Sequence, residues 1–360
     1  MKYLNVLLLA GIVAVAAELA HWNPFIVFVA SGLAMIPLAG LMGEATEALA
    51  VHTGPRLGGL LNATLGNAAE LIITVMAIRE GILNPDINEQ MLDLVRASLT
   101  GSILGNILLV LGLSILVGGL RHGVQKFDRS HAGINATMLI LAVAALIIPS
   151  LFSHSIEAVN HDAVEYLSLG VAGVMILLYV LALVFQLRDP KNRQGAEHGQ
   201  ARHDAPHWSV GRSGVVLVLV TAAIVWMSEL LVGSIEHVVL ETGISEFFLG
   251  IVIIPVIGNV AEHLVAVQVA AKNKMELSLS ISVGSSLQIA LFVAPLLVFI
   301  SLLMGNPLTL VFNQFELIAL MAAVLIAAMV SQDGESNWLE GAMLLAVYCI
   351  IALAFLWLPA

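Results

Sequence analysis

The chain has 360 residues, of which 59% are hydrophobic and only 11% charged, and its formal net charge is −11. A soluble domain carries about 25% charged residues, so this chain lacks the polar side chains to cover a water-soluble surface and must be solvated largely by lipid. No Lys/Arg-rich run suits nucleic acid, and the single cysteine, Cys349, excludes an intrachain disulfide.

A membrane-spanning helix needs about 20 mainly apolar residues. Taken along the chain, eleven runs predict such helices: 3–20, 24–50, 57–79, 92–119, 133–152, 163–186, 213–238, 246–270, 277–304, 314–331 and 338–358. The expected fold is therefore an all-α integral membrane protein. The opening run (Lys2, then Leu4 to Ala17, with Ala14-x-Ala16) also has the form of a signal peptide, but we read residues 1–22 as a first transmembrane helix. The only long polar stretch, residues 188–212, contains His198, His203, His207, Gly195 and Gly199. We read it as a solvated cytoplasmic linker between segments 23–187 and 213–360, a simpler account than a three-histidine metal site.

Lysine and arginine are distributed unevenly over the connections. The N-terminus and even-numbered loops hold 12 of them and the odd-numbered loops only two, Arg79 and Arg96. The excess of positive charge predicts a cytoplasmic N-terminus and an external C-terminus.

Gly66-Asn67-Ala68-Ala69-Glu70 recurs as Gly258-Asn259-Val260-Ala261-Glu262, at an offset of 192. Upstream, Glu47 and Thr53-Gly54 match Glu236 and Thr242-Gly243 at an offset of 189. Downstream, Gly101-Ser102-x-Leu104 matches Gly284-Ser285-x-Leu287 at an offset of 183. The common order implies a duplicated five-helix unit preceded by one extra N-terminal helix. Five is odd, so the second copy enters the membrane from the opposite side, an inverted repeat of the kind found in secondary transporters, whose substrates bind near the midplane.

Glu70 and Glu262 fall inside their spans, where a carboxylate is costly without a cation or proton. Asn67 and Asn259 lie three residues earlier, on the same side of a helix, and each offers an amide oxygen. Gly66 and Gly258, with Pro255 near the latter, are expected to let the chain unwind and free backbone carbonyls. Thr64 and Thr74 add hydroxyl oxygens. These oxygen donors suit calcium, which takes about 6–8 oxygen ligands in adaptable geometry, while the absence of a nearby thiol argues against a soft metal. Two carboxylates in a low dielectric also hold protons well, so calcium and protons would compete for the same oxygens. That competition is exchange chemistry. His263 points off the face of Glu262 and is expected to be a hydrogen-bonding neighbour. Glu44, Glu47, Glu229 and Glu236 are candidates for entry vestibules or for simple interfacial residues. Ser102, Asn106, Ser285, Ser286 and Gln288 are expected to pack helices closely and to position the two acids. Glu18, Glu165, Glu316 and Glu340 have no repeat partner and read as interfacial.

At these residues the chain resembles the calcium/proton exchanger (CAX) family of the cation/calcium exchanger superfamily, which carries Gly-Asn-x-x-Glu in both repeats. The Gly101–Asn106 and Gly284–Gln288 segments are also similar to that family's following helices. The resemblance covers nearly the whole chain. It implies an eleven-helix fold that exports calcium against entering protons, with Glu70 and Glu262 as essential acids beside Asn67 and Asn259. The linker is basic and histidine-containing and so departs from members with an acidic regulatory helix.

A sodium-coupled exchanger is the runner-up, although the Gly-Thr-Ser-x-Pro-Glu pattern of sodium/calcium exchangers is absent. An intramembrane protease lacks its residues, since no His-Glu-x-x-His occurs and all seven aspartates lie outside or at the ends of spans. A channel fits repeats of opposite orientation less well than alternating access does. No cofactor is implied, calcium being the cargo, and the features are compatible with a homo-oligomer. The compact chain points to a prokaryotic plasma membrane.

Overall fold

A computed structural model describes residues 4–157, 162–188 and 208–358, and these are almost entirely helical. The helices in chain order are α1 (Leu8–Leu19), α2 (Pro24–Leu65), α3 (Ala68–Leu83), α4 (Asn88–Leu104), α5 (Leu111–His122), α6 (Arg129–Glu157), α7 (Asp162–Arg188), α8 (Val210–Gly233), α9 (Ile235–Thr242), the single turn α10 (Glu246–Phe248), α11 (Ile254–Ala270), α12 (Met275–Gln288), α13 (Ala294–Leu303), α14 (Gln314–Val330) and α15 (Trp338–Leu356). Short π-helical turns at Gly105–Val110, Leu249–Ile253 and Ile289–Val293 run directly into α5, α11 and α13. Eight helical stretches are long and apolar enough to cross a membrane, and two more, Asn5–Leu19 and Gln314–Val330, are apolar but shorter. Most of the histidine-containing linker, including His198, His203 and His207, lies outside the described residues.

The expected break between the second and third spans, at residues 50–57, is a sharp bend: a Cβ on Gly58 would lie 2.6 Å from the carbonyl oxygen of Ala50, eight residues earlier, an approach that a straight helix does not allow. Backbone on both sides of the bend is helical, which gives α2 its range of 42 residues to Leu65, and the apolar span of its first limb ends at Thr53. The chain turns again at Gly66–Asn67, inside the first repeated motif. The second motif behaves differently. Gly258 lies within continuous α11, and Pro255 takes an early position in that helix, where its missing N–H costs least, just after a π-helical turn.

Two compact units divide the chain, and each draws elements from both halves of the sequence. The first contains α1, α2, the start of α3, the end of α7, α8, α9 and residues 257–261 of α11. Small residues let its helices approach closely: a Cβ on Gly11 would sit 3.4 Å from Ala34 Cβ, and one on Gly32 only 2.9 Å from Ile257 Cδ1. Asn23 Nδ2 donates to Glu241 Oε1 at 3.0 Å within this unit.

The second unit is centred on α4, which is buried on every side from Leu94 to Leu104. A Cβ on Gly101 would collide with the carbonyl of Ile251, and one on Gly250 would lie 3.0 Å from the carbonyl of Leu94, so α4 and the π-helical turn before α11 pack backbone against backbone. Gly112 and Gly341 serve α5 and α15 in the same way. A seven-residue segment without helical structure, 307–313, crosses this unit. Its alternate amides are satisfied by side chains: Leu308 N donates to Ser301 Oγ (2.8 Å), Leu310 N to Ser168 Oγ (3.1 Å) and Phe312 N to Ser150 Oγ (2.8 Å). Arg96 Nε donates to the carbonyl of Thr309 at 3.2 Å, and its guanidinium pairs with Asp93. Arg96 is thus a buried structural cation inside α4, not a loop charge.

Two-residue strands β1 (Gln125–Lys126) and β2 (Glu335–Ser336) pair antiparallel, Gln125 with Ser336 and Lys126 with Glu335. Lys126 Nζ donates to Glu335 Oε1 at 2.9 Å, and that hydrogen bond, with the carboxylate's charge, raises the Lys126 pKa.

Glu316, expected at an interface, is instead 1% exposed. It is the third residue of α14 and closes a capping box with Asn313: Asn313 N donates to Glu316 Oε2 at 2.8 Å, while Asn313 Oδ1 caps the helix. Asn337 and Glu340 build the same box on α15.

Candidate functional site

The turn at Gly66–Asn67 makes Ala68 the first residue of α3 and puts Glu70 in its first turn. A carboxylate there faces the positive end of the helix dipole. Asn67 and Glu70 are each 2% exposed. Thr74 is buried one turn further on, but its hydroxyl donates to the carbonyls of Glu70 (2.9 Å) and Leu71 (3.0 Å), so its proton is committed to its own helix. Thr64, on the last turn of α2, is half-buried.

Residues of the second motif reach the same unit. A Cβ on Gly258 would lie 4.0 Å from Glu70 Cβ and 3.8 Å from Ile73 Cδ1, so α11 passes the first acid at the glycine of its own motif. Asn259, next in sequence, is 3% exposed. The first unit therefore holds the glycine and asparagine of both motifs together with Glu70.

Glu262 belongs to the second unit and is held by α12, where Ser285 Oγ donates to Glu262 Oε2 at 2.7 Å. Ser285, one of the residues expected to position the two acids, thus contacts Glu262 directly. Ser286 spends its hydroxyl proton on the carbonyl of Ser282, a helix-internal bond. Ser102 and Asn106 are buried on α4 and the π-helical turn after it, and Gln288 is half-buried at the end of α12. That turn starts at residue 105 and its counterpart at residue 289, a separation of 184, close to the repeat offset of 183. His263 is buried with no hydrogen-bond partner for Nε2 among the described residues, so the expected bond is not made through that nitrogen.

The four vestibule candidates separate. Glu47, Glu229 and Glu236 are exposed, whereas Glu44 is half-buried and lines a narrow cavity. Among the described residues no three His, Cys, Asp or Glu side chains converge on one point. The buried oxygens are those of acids, amides and hydroxyls, hard donors of the kind that calcium takes.

Residues 23–188 and 212–357 match the sodium/calcium exchanger protein family, and the chain belongs to it. It is 44% identical to a Ca(2+)/H(+) antiporter of Aphanothece halophytica, over 94% of this chain and 92% of that one. It is 43% identical to the Ca(2+)/H(+) antiporter ChaA of Bacillus subtilis, over 97% of each. Among solved structures, native YfkE superimposes with a TM-score of 0.84 at 41% identity, covering 99% of this chain and all of that one.

Proposed function

We propose that this protein is a secondary antiporter that exchanges calcium for protons across a membrane by alternating access, with Glu70 and Glu262 binding the cation or protons in turn. The observation that carries this reading is the meeting of both motifs around one buried acid: Gly258 passes Glu70 at close range, and Asn67 and Asn259 are buried in the same unit. The named activities of relatives similar over nearly their whole length support calcium and protons as the exchanged ions. The two Gly-Asn-x-Ala-Glu copies support a shared site and an inverted pair of five-helix repeats behind one extra helix, eleven crossings in all. The charge distribution supports a cytoplasmic N-terminus, and the bacterial relatives support a prokaryotic plasma membrane.

An acid pair stripped of both ions leaves uncompensated charge in a low dielectric, a state too costly to reorient. The carrier therefore changes access only when loaded with calcium or with protons, and this restriction couples the two fluxes. Ser285 holds Glu262 in place for whichever ion is bound.

The test is calcium uptake into proteoliposomes under an imposed pH gradient without sodium. Uptake should follow the proton gradient, and Glu70→Gln or Glu262→Gln should each reduce it to background. The family's sodium-coupled branch favours a second reading, which would be supported if uptake ignored the pH gradient and followed sodium.

A further inference from the structure

A cavity in the first unit, with room for about one water molecule, is lined by Asn5, Pro37, Leu41, Glu44, Val260 and Ala261. Its polar side chains are only two, Asn5 and Glu44. Pro37, Leu41 and Glu44 form one stripe of α2 by helical spacing. The opposite wall is Val260-Ala261, the two residues between Asn259 and Glu262 in the second motif. Asn5 is exposed, Glu44, Val260 and Ala261 are half-buried, and Pro37 is buried.

This feature exists once. At the repeat offset of 189, the position matching Glu44 is Gly233, and Asn5 lies in the extra N-terminal segment that has no repeat at all. The duplication therefore supplies the two binding motifs symmetrically but supplies this polar wall on one side only. Among the described residues no basic side chain lines the cavity beside Glu44, so on these residues its charge is available to a mobile cation.

We infer that Glu44, with Asn5 at the mouth, forms an entry step that strips and passes a divalent cation toward the second motif from the cytoplasmic face alone. The inference rests on the antiport reading and on the orientation proposed above. A carboxylate and an amide oxygen replace part of the ion's water shell in a passage too narrow for the hydrated ion. The carboxylate also raises the local cation concentration. The extra N-terminal helix thereby gains a role: it closes one side of the entry.

The experiment is calcium/proton exchange by the full chain in vesicles of known sidedness. Glu44→Gln should raise the KM for calcium at the cytoplasmic face about fivefold, a modest part of the 10- to 1,000-fold effects of charged clefts. The maximal rate and the KM at the opposite face should stay unchanged. Glu44→Asp should restore most of the loss, and Asn5→Leu, judged folded by its elution as a single species, should raise the same KM by a smaller factor. An unchanged KM in Glu44→Gln, an equal change at both faces, or a loss of maximal rate at constant KM overturns the entry assignment while the loss of transport in Glu70→Gln still stands. Transport that survives in both Glu70→Gln and Glu262→Gln overturns the antiport reading on which it rests.

Discussion

A carboxylate in the interior of a membrane helix is held there by whatever compensates its charge, and in this chain the two motif acids are compensated differently. Glu70 sits in the first turn of α3, against a helix N-terminus, whereas Glu262 is in mid-helix and takes a hydrogen bond from Ser285. Removing that hydroxyl by Ser285→Ala leaves one oxygen of a partly buried carboxylate without its donor. Hydrogen bonds to charged groups are worth about 1.5–3 kcal/mol, so we expect roughly a tenfold weaker apparent calcium affinity, with recovery in Ser285→Thr. Flux measured against calcium concentration checks this, and an unchanged affinity would mean that the hydroxyl only packs. The sequence made Ser285 legible because Gly-Ser-x-Leu recurs with the motif. It also carried a signal for Glu316 that composition hid: Asn313-x-x-Glu316 ahead of an apolar run is the spacing of a capping box, and the same spacing recurs at Asn337-x-x-Glu340.

At the scale of elements, the apolar runs located the helices and the break between the second and third of them. The bend that brings Gly58 onto Ala50 falls in that break, and a second turn, at Gly66–Asn67, lies inside the motif. Glycine spacing gave no warning of which glycines matter to packing, because close approach is decided by the partner helix. Gly101 and Gly250 are such a case, since each faces the backbone of the other's segment. Gly101→Val should force α4 away from Ile251 and destabilise the second unit by at least about 1–3 kcal/mol, the usual cost of overpacking, seen as a lowered melting temperature in detergent. Gly284, the repeat counterpart, meets nothing within 4 Å, so Gly284→Ala should be tolerated in the same assay. Asn313→Ala should cost about 0.5–2 kcal/mol through loss of the cap of α14, and a melting temperature equal to the parent's would show that the box is dispensable.

At the scale of the whole molecule, function depends on parity: two motifs serve opposite faces only if an odd number of crossings relates their repeats. Arg96 is committed to Asp93 and Thr309, so counting it as a loop charge understated the bias, and Arg79 alone remains against the 12 basic residues on the other side. Five proposed crossings separate exposed Asp86 from exposed Lys272, and these two positions must therefore lie on opposite faces. In a chain whose native Cys349 has been replaced by alanine, Asp86→Cys should react with a membrane-impermeant maleimide on intact cells, and Lys272→Cys only after the cells are opened. Reversed labelling would invert the orientation and move the Glu44 entry to the outer face. Labelling of both from one side would break the parity, and with it the inverted relation between the helices of Glu70 and Glu262 on which alternating access depends.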